Sequence, residues 1–395
     1  MRLLYIFILS ALILLGCTQP KTPQLTPWGT PVGGGDGQDS AAFDMGDIQA
    51  GGEMIMLTVS GPDTYYEYRG RKLGTQYLLC ERFAQKLGVS LRVEVCKDTA
   101  EMVRKLNDGD ADIIACQIKK STRGVRFCGY SVDSLNTSWA VSAANKELAD
   151  SISSWFSPEM VAQIRREEQR MFSSQSIHRH TYAPMLNAAG GIISQYDPFF
   201  KRYAATAQCD WRLLAAQCYQ ESTFDPKAYS WAGACGLMQI MPATATLVGL
   251  PHDQIFEPEP NVSAAARYLR KLNGYFPEIR NRAERQKFVL GSYNGGHFHI
   301  RDAMALARKY GKNPYSWSDV SDFVLKLSQP QYYNDPVVKY GYMRGYETVG
   351  YVERILDRWA QYCGRARSEG QPAASGIGTD NAMPQKAHRR NRFHL

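Results

Sequence analysis

Apolar and polar positions along the chain fall into two regimes. Between residues 54 and 145, short apolar runs alternate with helical patterns. Residues 54–60 form an apolar strand pattern. Residues 73–87 predict a helix with Tyr77, Leu78, Phe83 and Leu87 as its main apolar positions. Residues 90–95 alternate as a strand, 99–107 predict a short helix, and 111–116 predict another strand. This βαβαβ order predicts a parallel sheet with helical crossovers. Beyond residue 195 the pattern is mostly helical. Asp210 is an N-cap candidate for a helix ending at Glu221, with Leu213, Leu214, Cys218 and Tyr219 recurring on one face. Residues 261–276, 283–293, 299–310 and 336–362 predict further amphipathic helices. The expected fold is therefore an α/β lobe followed by a mostly α domain.

The ends of the chain differ from both halves. Met1-Arg2 precedes an apolar run from Leu3 to Leu15, which is closed by Gly16-Cys17. This is the layout of an export signal, and it is shorter than the roughly 20 apolar residues of a membrane span. Leu14-Leu15-Gly16-Cys17 resembles a bacterial lipobox. The resemblance implies that Cys17 carries lipid and anchors the chain in the outer membrane, facing the periplasm. Residues 18–52 are rich in Gly, Pro, Thr, Gln and Asp and predict a flexible tether. Residues 173–194 form a polar segment interrupted by Pro184, expected as a linker. Residues 364–395 contain Lys386-Ala387-His388-Arg389-Arg390 and predict a disordered basic tail. The net charge of +8 is modest for 395 residues and does not mark a nucleic-acid partner.

Nine cysteines are present. Setting Cys17 aside leaves an even number, and in an exported chain that invites disulfides. Pairing within each half is the simplest expectation. Cys209 with Cys363 would tie the ends of the second half, and Cys218 with Cys235 would pair or pack beside Glu221. No cysteine or histidine spacing suits zinc, and no cofactor is expected.

The candidate chemistry centres on Glu221-Ser222 and on Gly236-Leu237-Met238-Gln239-Ile240-Met241-Pro242. A carboxylate at the end of an apolar helix sits partly desolvated. That raises its pKa, as a general acid requires. Ser292-Tyr293-Asn294-Gly295-Gly296 and Glu347-Thr348-Val349-Gly350-Tyr351-Val352 complete the set. In this order, the four segments resemble the lytic transglycosylase domain of the soluble-transglycosylase type, over roughly residues 195–363. Ser292 departs from the family's usual Ala. The resemblance implies a lysozyme-like fold and peptidoglycan glycan strands as substrate. It implies Glu221 as the single general acid and base, with Ser222, Met238, Gln239, Tyr293, Asn294 and Tyr351 binding substrate or orienting the acid. Glycoside cleavage usually takes two carboxylates. Asp225 lies in a Phe-Asp-Pro turn and Glu257 and Glu259 in a proline-rich loop, so none is an evident second one. Trp231 is a candidate platform for a sugar face.

In the first half, Gly74-Thr75-Gln76-Tyr77, residues 83–89 and residues 106–113 resemble the first lobe of periplasmic solute-binding proteins. Such a module ahead of a transglycosylase domain is the layout of the membrane-bound lytic transglycosylase F family. By the same resemblance, the chain exits near Gly129-Tyr130-Ser131 and returns as a strand over 137–142, with closing helices over 151–170, so the second lobe is expected to be missing from 53–172. That half is expected to dock or regulate rather than close around a ligand; if it did bind one, Arg123 and Arg126, near where such proteins hold a carboxylate, are the first contacts to test. Other cell-wall enzymes are candidate partners. Two alternatives stay open at this point: a hydrolytic muramidase on the same fold, and a non-catalytic wall-binding lipoprotein.

Overall fold

The structure, a computed structural model, describes residues 44–172 and 177–365, together with the backbone of two short paired strands, Gln24–Leu25 and Pro31–Val32. Cys17 and the basic tail lie outside the described residues. The expected tether reaches less far than residue 52. Helix α1 (Met45–Gly51) starts in a capping box, in which Asp44 accepts from the Asp47 N–H at 2.8 Å and Asp47 accepts from the Asp44 N–H at 3.2 Å. Ile48 on this helix packs into the first lobe's core, so local capping and burial both order the segment.

The first lobe is a five-stranded sheet. Strand β1 (Glu53–Thr58) lies between β4 (Ser90–Val95) and β5 (Ile113–Lys119), parallel to both. Helices α2 (Thr75–Leu87) and α3 (Thr99–Asn107) make the crossovers that parallel pairing needs. Strand β7 (Thr137–Ser142) pairs antiparallel with β5 and with β6 (Val125–Val132), and it is buried along its whole length. A single 3₁₀ turn, Asp133–Leu135, joins β6 to β7 where a second lobe would otherwise be built. Helices α4 (Lys146–Trp155) and α5 (Pro158–Met171) close the lobe. Glu168 of α5 accepts from the Gly74 N–H and the Thr75 hydroxyl, each at 3.2 Å, and the Asp63 and Thr64 carbonyls accept from the Gln76 and Tyr77 N–H groups at 2.9 and 3.1 Å, so the N-terminus of α2 is satisfied from within. Between β1 and α2 a small hairpin projects from the lobe: β2 (Tyr66–Tyr68) and β3 (Arg71–Leu73), joined by Arg69-Gly70.

The second half is helical: α6 (Asp197–Ala207), α7 (Trp211–Ser222), α8 (Pro242–Val248), α9 (Pro258–Asn273), α10 (Arg282–Gly295), α11 (His297–Lys309), α12 (Trp317–Lys326), α13 (Pro330–Tyr333) and α14 (Gly345–Arg365). One apolar core holds these helices together, with Phe200, Phe276, Phe288, Leu214 and Val352 among its fully buried side chains. Three expectations are corrected. The pattern over 336–362 overran, because residues 336–344 form a loop and α14 begins at Gly345. Glu257 and Glu259 do not sit in a loop. Pro258 opens α9 with Glu257 as its N-cap, a position where the missing proline N–H costs nothing. The described cysteines from Cys80 to Cys363 are all free thiols, most of them packed in the cores, and burial pushes the Cys116, Cys128 and Cys209 thiols up to about 12.

The segment expected as a linker is pinned to the second half. Ile177–His178 pairs with Tyr229–Ser230, and Tyr362 donates its hydroxyl to the Pro184 carbonyl at 2.6 Å. The two halves also share a seam in which Tyr66, Leu73 and Tyr342 are buried together. The Tyr342 N–H donates to Ser60 Oγ at 2.8 Å across that seam.

Candidate active site

Helix α7 forms for local reasons and ends at the chemistry. Asp210 accepts from the Arg212 N–H at 2.7 Å, and Leu213, Leu214 and Cys218 face the core. Thr223 adopts a left-handed conformation and stops the helix. Glu221 lies on its last turn and is only 3% exposed. Tyr351 on α14 donates its hydroxyl to Glu221 Oε1 at 2.6 Å, and Gln217 Nε2–H donates to the Tyr351 oxygen at 3.2 Å. Burial pushes the Glu221 carboxyl above the ordinary carboxylate range. The Arg69 guanidinium, the Tyr351 hydrogen bond and Arg179 pull it back, and burial prevails. Arg179 also donates to the Glu221 backbone carbonyl at 3.1 Å.

Glu221 opens into a cavity of about 290 Å³ that it shares with Gln239, Tyr268, Tyr293 and Asn294. Gly236 makes the turn that brings Gln239 there. Its φ is +75°, and a Cβ would sit 2.7 Å from the Ile255 carbonyl. Gln239 donates through Nε2 to the Ala228 and Gly236 carbonyls at 3.1 and 3.0 Å. Tyr293 donates its hydroxyl to the Met238 carbonyl at 2.8 Å, with its ring 5.4 Å from that of Tyr268. Asn294 Oδ1 accepts from the Thr348 hydroxyl at 2.8 Å. Among the described residues, Arg69 Nε, Gln239 Oε1, Ser292 Oγ and His299 Nδ1 are buried on residues that line this cavity, without a hydrogen-bond partner. Four unspent polar atoms around one cavity are the arrangement a polar ligand would complete. Burial holds the His299 imidazole down to about 4, so it is neutral at physiological pH.

The structure thus brings Glu221, Gln239, Tyr293, Asn294 and Tyr351 together, and it places Ser222 and Met238 elsewhere. Ser222 is fully buried and donates its hydroxyl back to the Cys218 carbonyl at 3.2 Å, inside its own helix. The Met238 side chain is fully buried in the core, and Met241 takes its expected place on the cavity wall. Asp225 is a turn residue as expected. It accepts from the Lys227 N–H at 2.9 Å, and it also accepts from the His180 N–H at 2.6 Å. Trp231 lies apart from Glu221, on a neighbouring cavity. Arg123 and Arg126 are exposed, and Arg126 donates to the Ala143 carbonyl at 2.9 Å. Among the described residues no cluster of His, Cys, Asp or Glu side chains is arranged to hold a metal ion.

Sequence reasoning missed Arg69, Arg179 and His299. Arg69 comes from the first lobe's hairpin, and nothing local announces a contact across such a separation. The Tyr-Arg-Gly-Arg turn between two short alternating strands was the available signal.

Comparison with known proteins adds to this geometry. Residues 198–316 match the family described as Transglycosylase SLT domain. The chain is 28% identical over 434 aligned positions to membrane-bound lytic murein transglycosylase F of Citrobacter koseri, covering 84% of this chain and 83% of that one. Among solved structures, the 70 kDa soluble lytic transglycosylase of Escherichia coli aligns at 26% identity and a TM-score of 0.28, over 42% of this chain and 24% of that one. The chain thus spans about a quarter of that enzyme's length. The arginine-bound form of domain 1 from TmArgBP aligns at 20% identity and a TM-score of 0.23, over 30% of this chain and 96% of that one.

Proposed function

We propose that this chain, a peptidoglycan lytic transglycosylase by its matched domain and its relative across both halves, cleaves the bond between N-acetylmuramic acid and N-acetylglucosamine without water, with Glu221 as its one acid and base. The observation that carries this reading is the buried Glu221 carboxyl, raised in pKa and held by Tyr351 at 2.6 Å on the wall of a sugar-sized cavity.

The steps follow from that geometry. Protonated Glu221 gives its proton to the bridging oxygen as the bond from that oxygen to the muramic-acid anomeric carbon breaks. The ring passes through an oxocarbenium-like state. The carboxylate left on Glu221 then takes the proton of the sugar's own 6-hydroxyl, whose oxygen bonds to the anomeric carbon. The product is a 1,6-anhydro ring, and Glu221 is protonated again. A single carboxyl suffices because the nucleophile belongs to the substrate, whereas hydrolysis would ask for a second carboxylate. Acid–base help of this kind is worth about 10²–10⁴-fold. Asn294 and Gln239 supply hydrogen bonds to acetamido or hydroxyl groups, and the Tyr293 and Tyr268 rings supply faces for sugar rings.

The test is digestion of purified wall sacculi and mass spectrometry of the released fragments. Anhydro ends that vanish in Glu221→Gln are the expected result. Reducing ends instead would make the chain a hydrolase, and wall binding without release would make it a non-catalytic lipoprotein. We place the protein in the cell envelope, held in the outer membrane by lipid on Cys17. The support is the Leu14-Leu15-Gly16-Cys17 motif. Among the described residues no helix is long and apolar enough to cross a membrane. Fatty-acid labelling that survives in Cys17→Ser would rule this anchor out.

A further inference from the structure

The first lobe reaches into the catalytic groove. Tyr68 and Arg69, at the tip of the β2–β3 hairpin, stand between two cavities. On one side is the cavity of Glu221, with Glu67, Arg69 and Gly70 as part of its wall. On the other is a cavity of about 300 Å³ lined by Tyr68, Arg69, Trp231, Asn294, Tyr346 and Arg354. Arg69 and Asn294 line both, so the two cavities are one groove divided by the hairpin.

The hairpin is built in. The Tyr68 hydroxyl donates to Glu347, and its ring meets Phe172 edge-on at 5.4 Å. Arg71 donates to the Trp231 carbonyl at 2.8 Å and lies over that ring at 5.5 Å. Tyr66 and Leu73 at its base are buried against Tyr342. The tip carries strain for a purpose. Both loop residues have positive φ, +49° at Arg69 and +73° at Gly70, as a two-residue loop between twisted strands requires. Asn is favoured at the first of these positions, and a long side chain in the left-handed region is unfavourable. Arg69 is nonetheless there, its Nε–H buried and, among the described residues, unpartnered.

We propose that Tyr68, Arg69 and Gly70 form a stop in the glycan groove, so that the enzyme removes units from strand ends and does not cut strands internally. This rests on the transglycosylase reading. A polymer cut in its middle must run past the acid in both directions, and here one direction is closed by side chains anchored on both banks. A strand end fits, and its terminal sugar offers hydroxyl and acetamido oxygens to the unspent Arg69 Nε–H. The hairpin also leaves the acid competent where it stands, since the Glu221 carboxyl stays raised with Arg69 beside it.

The experiment compares the full-length protein with Arg69→Gly in detergent on wall sacculi, following the size of released fragments and their anhydro ends from the earliest times. Arg69→Gly removes the side chain and relieves the loop, so its fold should hold, and thermal melting checks this. The expected result is small anhydro fragments throughout from the unaltered protein, and long anhydro-ended fragments early from Arg69→Gly. Long fragments from the unaltered protein would overturn the stop. A variant that changes only the rate, at unchanged fragment size, would also overturn it and make the hairpin a brake. No anhydro product from either protein would remove the transglycosylase reading and the stop with it, whereas anhydro products of the wrong size would remove the stop alone.

Discussion

Tyr351 on the last helix and Glu221 on the helix after Asp210 meet hydroxyl to carboxylate at 2.6 Å, although 130 positions separate them. The bond favours the ionised carboxyl, because a donor stabilises negative charge. Tyr351→Phe therefore moves the Glu221 carboxyl further up. Activity that needs the protonated acid is lost as pH rises through that pKa, so the alkaline limb of the rate profile shifts to higher pH in the variant. The rate at its optimum should fall about 10- to 100-fold for want of orientation, less than the 10²–10⁴-fold that loss of the acid itself can bring. A pH–rate series on both proteins checks both effects. An unmoved limb would mean that Tyr351 only packs.

The same burial makes a stability prediction. The folded Glu221 carboxyl is raised by desolvation above its unfolded value. The stability this lends is full below the unfolded pKa and is lost as pH rises through the folded one. At any pH above the unfolded value the raised carboxyl is therefore a net cost. Glu221→Gln, which mimics the neutral form, should melt higher than the parent at pH 7, and the gap should close on acidification. Melting curves at several pH values decide it. A variant less stable at pH 7 would mean that the Arg69 and Arg179 contacts outweigh burial.

Much of this was legible along the chain. Periodicity placed residues 90–95 and 99–107 on the elements they form, because each is bounded by turn residues and carries one clear period, and the solute-binding resemblance placed the strand at 137–142. Helix α6 was not singled out by the pattern, and Pro198 stands in its first turn as an opening residue. The overrun at 336–344 has the opposite cause. Val337, Val338, Tyr342 and Met343 are apolar to pack a loop against the core and the seam, and spacing alone does not separate that from a helix. At the site, Glu221, Gln239 and Asn294 followed from motif order. Ser222 and Met238 occupy motif positions too, yet helix rotation and turn geometry point their side chains inward. For the hairpin arginine the Tyr-Arg-Gly-Arg turn signalled a hairpin but not its reach, since a tertiary contact between halves leaves no local period.

Thr348 and Asn294 make a separable pair. Thr348→Val keeps the shape and removes the hydroxyl that Asn294 Oδ1 accepts at 2.8 Å. A buried acceptor left without its donor costs about 1–3 kcal/mol. The prediction is a lower unfolding midpoint and a weaker kcat with the fold retained, since Asn294 loses its fixed direction on the cavity wall. Thr348→Ser should restore both. Failure of the serine variant, which keeps the hydroxyl, to restore kcat would mean that the hydroxyl is not what sets the rate, and Asn294 would then need no orienting bond.

The first lobe makes the last prediction. A helix N-terminus is a natural anion site, and that of α2 is filled from within by Glu168 together with the Asp63 and Thr64 carbonyls. The neighbouring polar groups are also committed. Gln76 donates to Asp63 at 3.2 Å and accepts from the Trp139 indole at 2.9 Å, and Gln117 donates to the Tyr130 carbonyl at 3.0 Å. With these partners spent and β6 turning straight into β7, a free amino acid or muropeptide gains nothing that the lobe does not already have. Calorimetric titration of the full-length protein should show no saturable binding of either. Glu168→Ala should lower stability by about 1–2 kcal/mol by taking the carboxylate away from the helix N-terminus. Saturable binding to the unaltered protein would mean that Glu168 yields its place to ligand, and the lobe would then be a sensor and not a fixed wall of the groove.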